Sequence, residues 1–164
     1  MTSLLPASNR MLHGIALLCC GAVVFALICQ HAFGMRPCAW CVFQRLIYLG
    51  IAALCWLTVA VRRWSVISFL LSVIVPLAAI GGAMAAWYQY DVASEMFSCS
   101  FTFADRFMIN SGLGTKLPWL FAVQAGCMDA KVNLLGIEYA LWSLMLFLVI
   151  AILGIRNLAK PTMQ

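Results

Sequence analysis

The sequence predicts an all-α integral membrane protein, a four-helix bundle forming a single domain over residues 1–164. Three observations predict it. Hydrophobic residues make up 65% of the chain and charged residues 9%, against about 45–50% and about 25% in a typical soluble domain. Mean hydropathy is +1.02. Four apolar stretches reach the ~20 residues that a helix needs to cross a bilayer. So few polar residues could not cover the surface of a soluble domain, and 164 residues suit one compact bundle.

The first span is expected at 11–32. Arg10 precedes it, as in a signal peptide, but the apolar run exceeds the usual signal length and no small-residue cleavage site follows, which predicts a retained anchor. The second span is expected at 42–61 and the third at 65–88, joined by a short turn carrying Arg62 and Arg63. Gly81 and Gly82 in the third predict close helix packing. The fourth is expected at 134–155, opened by Glu138, whose carboxylate suits a helix N-terminus. Two loops remain, 33–41 and 89–133. The second is long and rich in Phe101, Phe103, Phe107, Ile109, Leu117, Trp119 and Phe121, with breaks at Gly112, Gly114 and Pro118. It is too apolar for a linker, and part of it is expected in the membrane interface, with packing on the bundle as the alternative. Trp40, between the cysteines, is expected to anchor at the headgroup level, and Trp56, Trp64, Trp87, Trp119 and Trp142 to be packing or belt residues. The nine Met are expected as core filler, and His13 as interfacial.

Orientation follows from basic residues in short loops. Arg10, Arg62, Arg63, Arg156 and Lys160 mark one side. Arg36, Arg106, Lys116 and Lys131 lie on the other, three of them diluted in the long loop. Both termini are therefore expected in the cytoplasm and both larger loops in the periplasm. The net charge of +5 forms no basic stripe, so nucleic acid is not an expected partner.

Eight cysteines divide by position. Cys19, Cys20, Cys29 and Cys55 lie within apolar runs and read as small buried hydrophobes. Cys38, Cys41, Cys99 and Cys127 lie in or beside polar segments on the side expected to be periplasmic, where disulfides persist. In Arg36-Pro37-Cys38-Ala39-Trp40-Cys41-Val42-Phe43-Gln44-Arg45, Pro37 suits the first position of a helix. The helix start beside Cys38 favours a thiolate, and Cys41 is within reach for a disulfide. Arg45 lies four residues past Cys41 on the same face. A charge inside a span is expensive and points to function, either beside a thiolate or beside a reduced electron acceptor. A structural zinc site needs four ligands; one Cys-x-x-Cys and two isolated cysteines with no nearby His disfavour a metal. No dinucleotide, haem or iron–sulfur signature is present, which leaves a lipid-soluble acceptor such as a quinone as the simplest choice.

The segment Gln30-His31…Pro37-Cys38-Ala39-Trp40-Cys41-Val42-Phe43-Gln44-Arg45 resembles the first periplasmic loop of the disulfide bond formation protein B family, DsbB. Cys99, Gly126-Cys127 and Leu135-Gly136 are similar to its second loop, so the resemblance runs in order along nearly the whole chain. It implies an inner-membrane protein-dithiol:quinone oxidoreductase that reoxidises a periplasmic DsbA-like protein and draws on the membrane pool of ubiquinone or menaquinone. It implies that Cys38 and Cys41 reduce the quinone, that Cys99 and Cys127 take electrons from the partner, and that Cys99 forms the mixed disulfide. It puts Arg45 at the quinone headgroup, with Gln30 and His31 nearby. Many family members carry a polar or basic residue near the outer end of the third span. Here that stretch is apolar up to Trp87, Tyr88 and Gln89, which stand as the candidates for that place. Two other functions are compatible with the residues: a dedicated oxidase of one other periplasmic partner, and a non-catalytic membrane subunit with structural disulfides.

Overall fold

The computed structural model describes residues 9–93, 102–126, 133–134 and 136–159. Four long helices dominate: α1 (Asn9–Ala32), α2 (Ala39–Ala60), α3 (Ser65–Tyr88) and, last in the chain, α7 (Tyr139–Ala159). Each is long and apolar enough to cross a membrane. Between α3 and α7 lie a π-helical turn (Gln89–Ala93), three short helices, α4 (Phe103–Ser111), α5 (Leu113–Lys116) and α6 (Pro118–Phe121), and the two-residue strands β1 (Asn133–Leu134) and β2 (Ile137–Glu138). α3 packs along both α2 and α7, and α1 packs along α2, while α1 and α7 meet less closely.

The apolar runs form helices because a chain in lipid must satisfy every backbone polar group internally. Both faces are therefore apolar. Ile15, Cys19, Ile51, Cys55, Val75, Phe147 and Ile150 fill the core, while Leu17, Val24, Leu70, Leu77 and Ile152 are exposed. Helix association in lipid depends on close packing rather than hydrophobic burial, and small residues permit it. A Cβ on Gly82 would overlap the Phe147 ring, and one on Gly154 would lie 3.2 Å from Pro76 of α3. Phe147 stacks on Tyr48 at 4.1 Å and 1°, and Tyr48 Oη donates to the Ser143 carbonyl at 3.1 Å. This ties α2, α3 and α7 together at mid-bundle. The α2–α3 turn is pinned by Trp64 N to Val61 O at 2.9 Å.

Several expectations need correction. The last helix starts at Tyr139 rather than 134, because β1 and β2 pair antiparallel there, with Asn133 opposite Glu138, and Gly136 turns the chain at φ +83°. Pro37 is not the first helical residue: Cys38 is the N-cap and α2 begins at Ala39. Trp40 is not a headgroup anchor but is 7% exposed, packed on Tyr88 and edge-on to Phe43. Met108 is core, whereas Met84 and Met145 are exposed, since a membrane protein's outer surface is itself apolar. Trp56, Trp64, Trp87, Trp119 and Trp142 are exposed, as belt residues would be. Of the four cysteines expected to be buried, Cys19, Cys29 and Cys55 are, while Cys20 is half-buried. The described part of the second loop packs on the bundle. α4, with a Thr102–Asp105 capping box, buries Ala104 and Met108 while exposing Phe103 and Ile109.

Gly82→Ala is expected to destabilise the protein by about 1–3 kcal/mol, because Phe147 must leave its stack on Tyr48. Gly81→Ala, which meets nothing within 4 Å, should leave thermal unfolding in detergent unchanged.

Candidate functional site

After α1 the chain reverses through Gly34 at φ +66°, with Met35 N bonded to Cys29 O at 3.2 Å. It enters α2 extended at Cys38, φ −83° and ψ 171°, whose sulfur caps the helix by accepting from Cys41 N at 3.4 Å. The two sulfurs lie 3.0 Å apart. Cys38 is fully buried in a cluster with Ala39, Trp40, Ala85 and Ala104. It is covered by the segment after α6, where Gln124 N and Ala125 N donate to Pro37 O at 2.9 and 3.3 Å. Cys41 is half-buried and packs against the same cluster.

Arg45 is 5% exposed. It does not snorkel to the membrane surface but turns into the bundle. Its Nη1 donates to Gln30 Oε1 at 2.6 Å and to the Leu120 carbonyl at 3.0 Å. Both acceptors are neutral. Arg45 Nε and Gln30 Nε2 are buried donors with no hydrogen-bond partner among the described residues. A buried cation with so little compensation is an electrostatic resource for an anion that forms beside it.

Cys41, Gln44, Arg45 and Tyr48 repeat at helical spacing and line one cavity of about 670 Å³ together with Leu17, Gly21, Phe25, Tyr139, Trp142 and Val149. Its walls come from α1, α2 and α7, the pair α1 and α7 being the looser contact. Leu17, Phe25, Trp142 and Val149 are exposed, so the cavity opens on the surface that would face lipid. From α3, Gln89 reaches the same sulfur: its Nε2 donates to Cys41 Sγ at 3.2 Å, and its Oε1 accepts from Gln44 Nε2 at 2.8 Å.

The structure thus brings Cys38, Cys41, Arg45 and Gln30 together. His31 is separate from the cavity lining. It sits exposed at the end of α1, with Nε2 3.2 Å from the Trp119 carbonyl, where it holds the α6 segment. Cys99 and Cys127 lie outside the described residues. Of the three third-span candidates, Gln89 touches the sulfur, Tyr88 packs on Trp40 and Trp87 is exposed. Sequence reasoning missed Tyr48 and gave Gln44 no role. Their spacing from Cys41, seven and three residues on respectively, is the helical signal that marks them.

A lipid-opening cavity that joins a vicinal dithiol to a buried cation defines a multi-pass membrane thiol protein. Comparison with known proteins makes this specific. The family model "Disulfide bond formation protein DsbB" matches residues 8–156, and the chain belongs to that family. "Disulfide bond formation protein B 1" of Pseudomonas putida is 31% identical over 153 residues, covering 93% of this chain and 90% of that protein. "Disulfide bond formation protein B" of Aromatoleum aromaticum is 30% identical over 171 residues, with 98% of each covered. The protein of that name from Polaromonas naphthalenivorans is 28% identical, covering 99% of this chain and 98% of its own. The chain is a membrane protein of disulfide bond formation.

The Gln30–Arg45 contact gives a double-mutant test. Gln30→Met is expected to cost about 1.5 kcal/mol, because a buried charge loses an acceptor. Adding Arg45→Met should restore much of that loss in thermal unfolding.

Proposed function

We propose that this protein is a thiol oxidase that takes two electrons from a reduced DsbA-like dithiol protein in the periplasm. It passes them through Cys99–Cys127 and Cys38–Cys41 to ubiquinone or menaquinone in the inner membrane. The observation that carries the reading is that Cys41 and Arg45 line one cavity opening toward lipid. The net reaction is partner dithiol plus quinone giving partner disulfide plus quinol.

The residues fit a quinone. Arg45 Nε is a buried donor without a partner among the described residues, suited to a carbonyl oxygen, and the apolar walls suit a polyprenyl tail. When bound, the quinone accepts two electrons and two protons. The chain supplies the rest. Cys41 presents its sulfur to the cavity. Arg45, held by Gln30, favours negative charge beside it. Cys38, its sulfur 3.0 Å away, lies buried beneath the segment after α6 and would exchange with the Cys99–Cys127 pair. Each exchange is a thiolate attack on a disulfide sulfur, so one S–S bond forms as another breaks. Cys99 would carry the mixed disulfide with the partner protein and Cys127 the leaving thiolate. His31 serves the site indirectly, by holding the α6 segment. Arg62 and Arg63 in the short α2–α3 turn, at the end away from Cys38, support cytoplasmic termini and periplasmic cysteines.

The test is quinone reduction by the purified protein, supplied with a reduced DsbA-like protein and a soluble ubiquinone analogue. Cys41→Ser should abolish turnover, and undiminished turnover would reject the reading. Arg45→Ala should raise the quinone KM about tenfold, the worth of one charge-assisted contact of ~1.4 kcal/mol.

A further inference from the structure

We infer that Gln89 is a catalytic residue of the Cys38–Cys41 centre: its amide hydrogen-bonds the Cys41 sulfur directly and is oriented for that task by Gln44. The inference deepens the proposed function and rests on it for the identity of the reaction, but not for the contact itself.

The geometry is specific. Gln89 is the first residue of the π-helical turn that ends α3, and its backbone N–H is shared between Ala85 O and Ala86 O. Such wide turns recur at functional sites because they redirect a side chain that a regular helix would aim elsewhere. The side chain is 8% exposed and spends both ends of its amide. The Oε1 takes Gln44 Nε2 at 2.8 Å and the Nε2 meets Cys41 Sγ at 3.2 Å. Gln44 is itself buried and lines the cavity with Cys41. A structural glutamine at a helix–helix contact needs one good partner. This one bridges a reacting atom and a second amide, and that amide, by donating, fixes the carbonyl end and turns the NH₂ toward the sulfur.

The chemistry favours an amide at this place. A dithiol that forms a disulfide must present one sulfur as an anion, and a donor aimed at that sulfur stabilises it. A carboxylate would repel the anion, and an aliphatic side chain would give nothing. An amide also has an acceptor. If Gln44 and Gln89 rotate together, Gln89 Oε1 accepts from the neutral thiol and Gln44 offers its carbonyl to Gln89 Nε2. The pair can therefore follow Cys41 between its two protonation states without leaving a buried group unsatisfied. Arg45 acts on the same sulfur only by charge through space, since its hydrogen bonds go to Gln30 and Leu120.

The experiment measures iodoacetamide alkylation of Cys41 in the reduced, full-length protein in detergent, with no quinone present. The Cys41 peptide is quantified by mass spectrometry at pH 7. A hydrogen bond to a charged group is worth about a tenfold change in the anionic fraction. A sulfur that loses it is a better nucleophile by about threefold, given a Brønsted slope of about 0.4–0.5, so Cys41 alkylation should slow about threefold. Gln89→Leu and the isosteric Gln89→Glu should both show this, and Gln89→His, which keeps a ring N–H donor, should recover most of the rate. Gln44→Met, which releases the orienting bond but leaves Gln89 in place, should give a smaller slowing and guards against a Gln89 variant that fails to fold. Wild-type rates in folded Gln89→Leu and Gln89→Glu, or in Gln44→Met if those do not fold, would overturn the inference. Quinone reduction is assayed in parallel on the wild type. Its failure there would reject the oxidase reading while leaving the alkylation result intact.

Discussion

The structure depends on one buried charge. Arg45 lies within a membrane-spanning helix, faces inward and is met by two neutral oxygens, the side chain of Gln30 and the carbonyl of Leu120. A guanidinium in such a place is tolerated only where protein groups replace water. That requirement draws three segments to one point: the end of α1, the start of α2 and the short helix α6 from the long loop. The loop's position over the dithiol thus follows from the same need for acceptors that places the arginine. His31 and the Pro37 carbonyl reinforce it with bonds to Trp119 O and from Gln124 N and Ala125 N.

Around that charge the dithiol has two unlike sides. Cys38 is sealed beneath Ala104 and the chain near Ala125. Cys41 faces a cavity whose rim is lipid-exposed. In the proposed oxidase the two cysteines differ in burial and in the groups that meet them, Gln89 reaching Cys41, with a helix N-terminus behind both that favours an anion.

The bundle beneath is built for rigidity. Gly82 and Gly154 let α3 and α7 approach until Phe147 and Pro76 fill the space that a Cβ would take. Tyr48, stacked on Phe147 and bonded to Ser143, continues the face of α2 that carries Cys41, Gln44 and Arg45. The opening of the cavity lies between α1 and α7, where packing is looser.

The sequence by itself determined the four spans, the end of the bundle that carries the dithiol, and the pairing of Cys41 with Arg45 on one helix face. These depend on hydropathy and on the 3.6-residue period, both local properties. Hydropathy did not separate helix from hairpin at 134–138, because Leu134 and Ile137 are equally apolar in either and Gly136 makes the turn. It did not distinguish Trp40 in the core from a tryptophan at the headgroups, since both places suit an indole. The partners of Arg45 and the Gln44–Gln89–Cys41 chain were decided only by tertiary structure. They join residues as far apart as 48 and 75 positions, and a hydrogen bond between distant segments leaves no periodic trace in the chain that makes it.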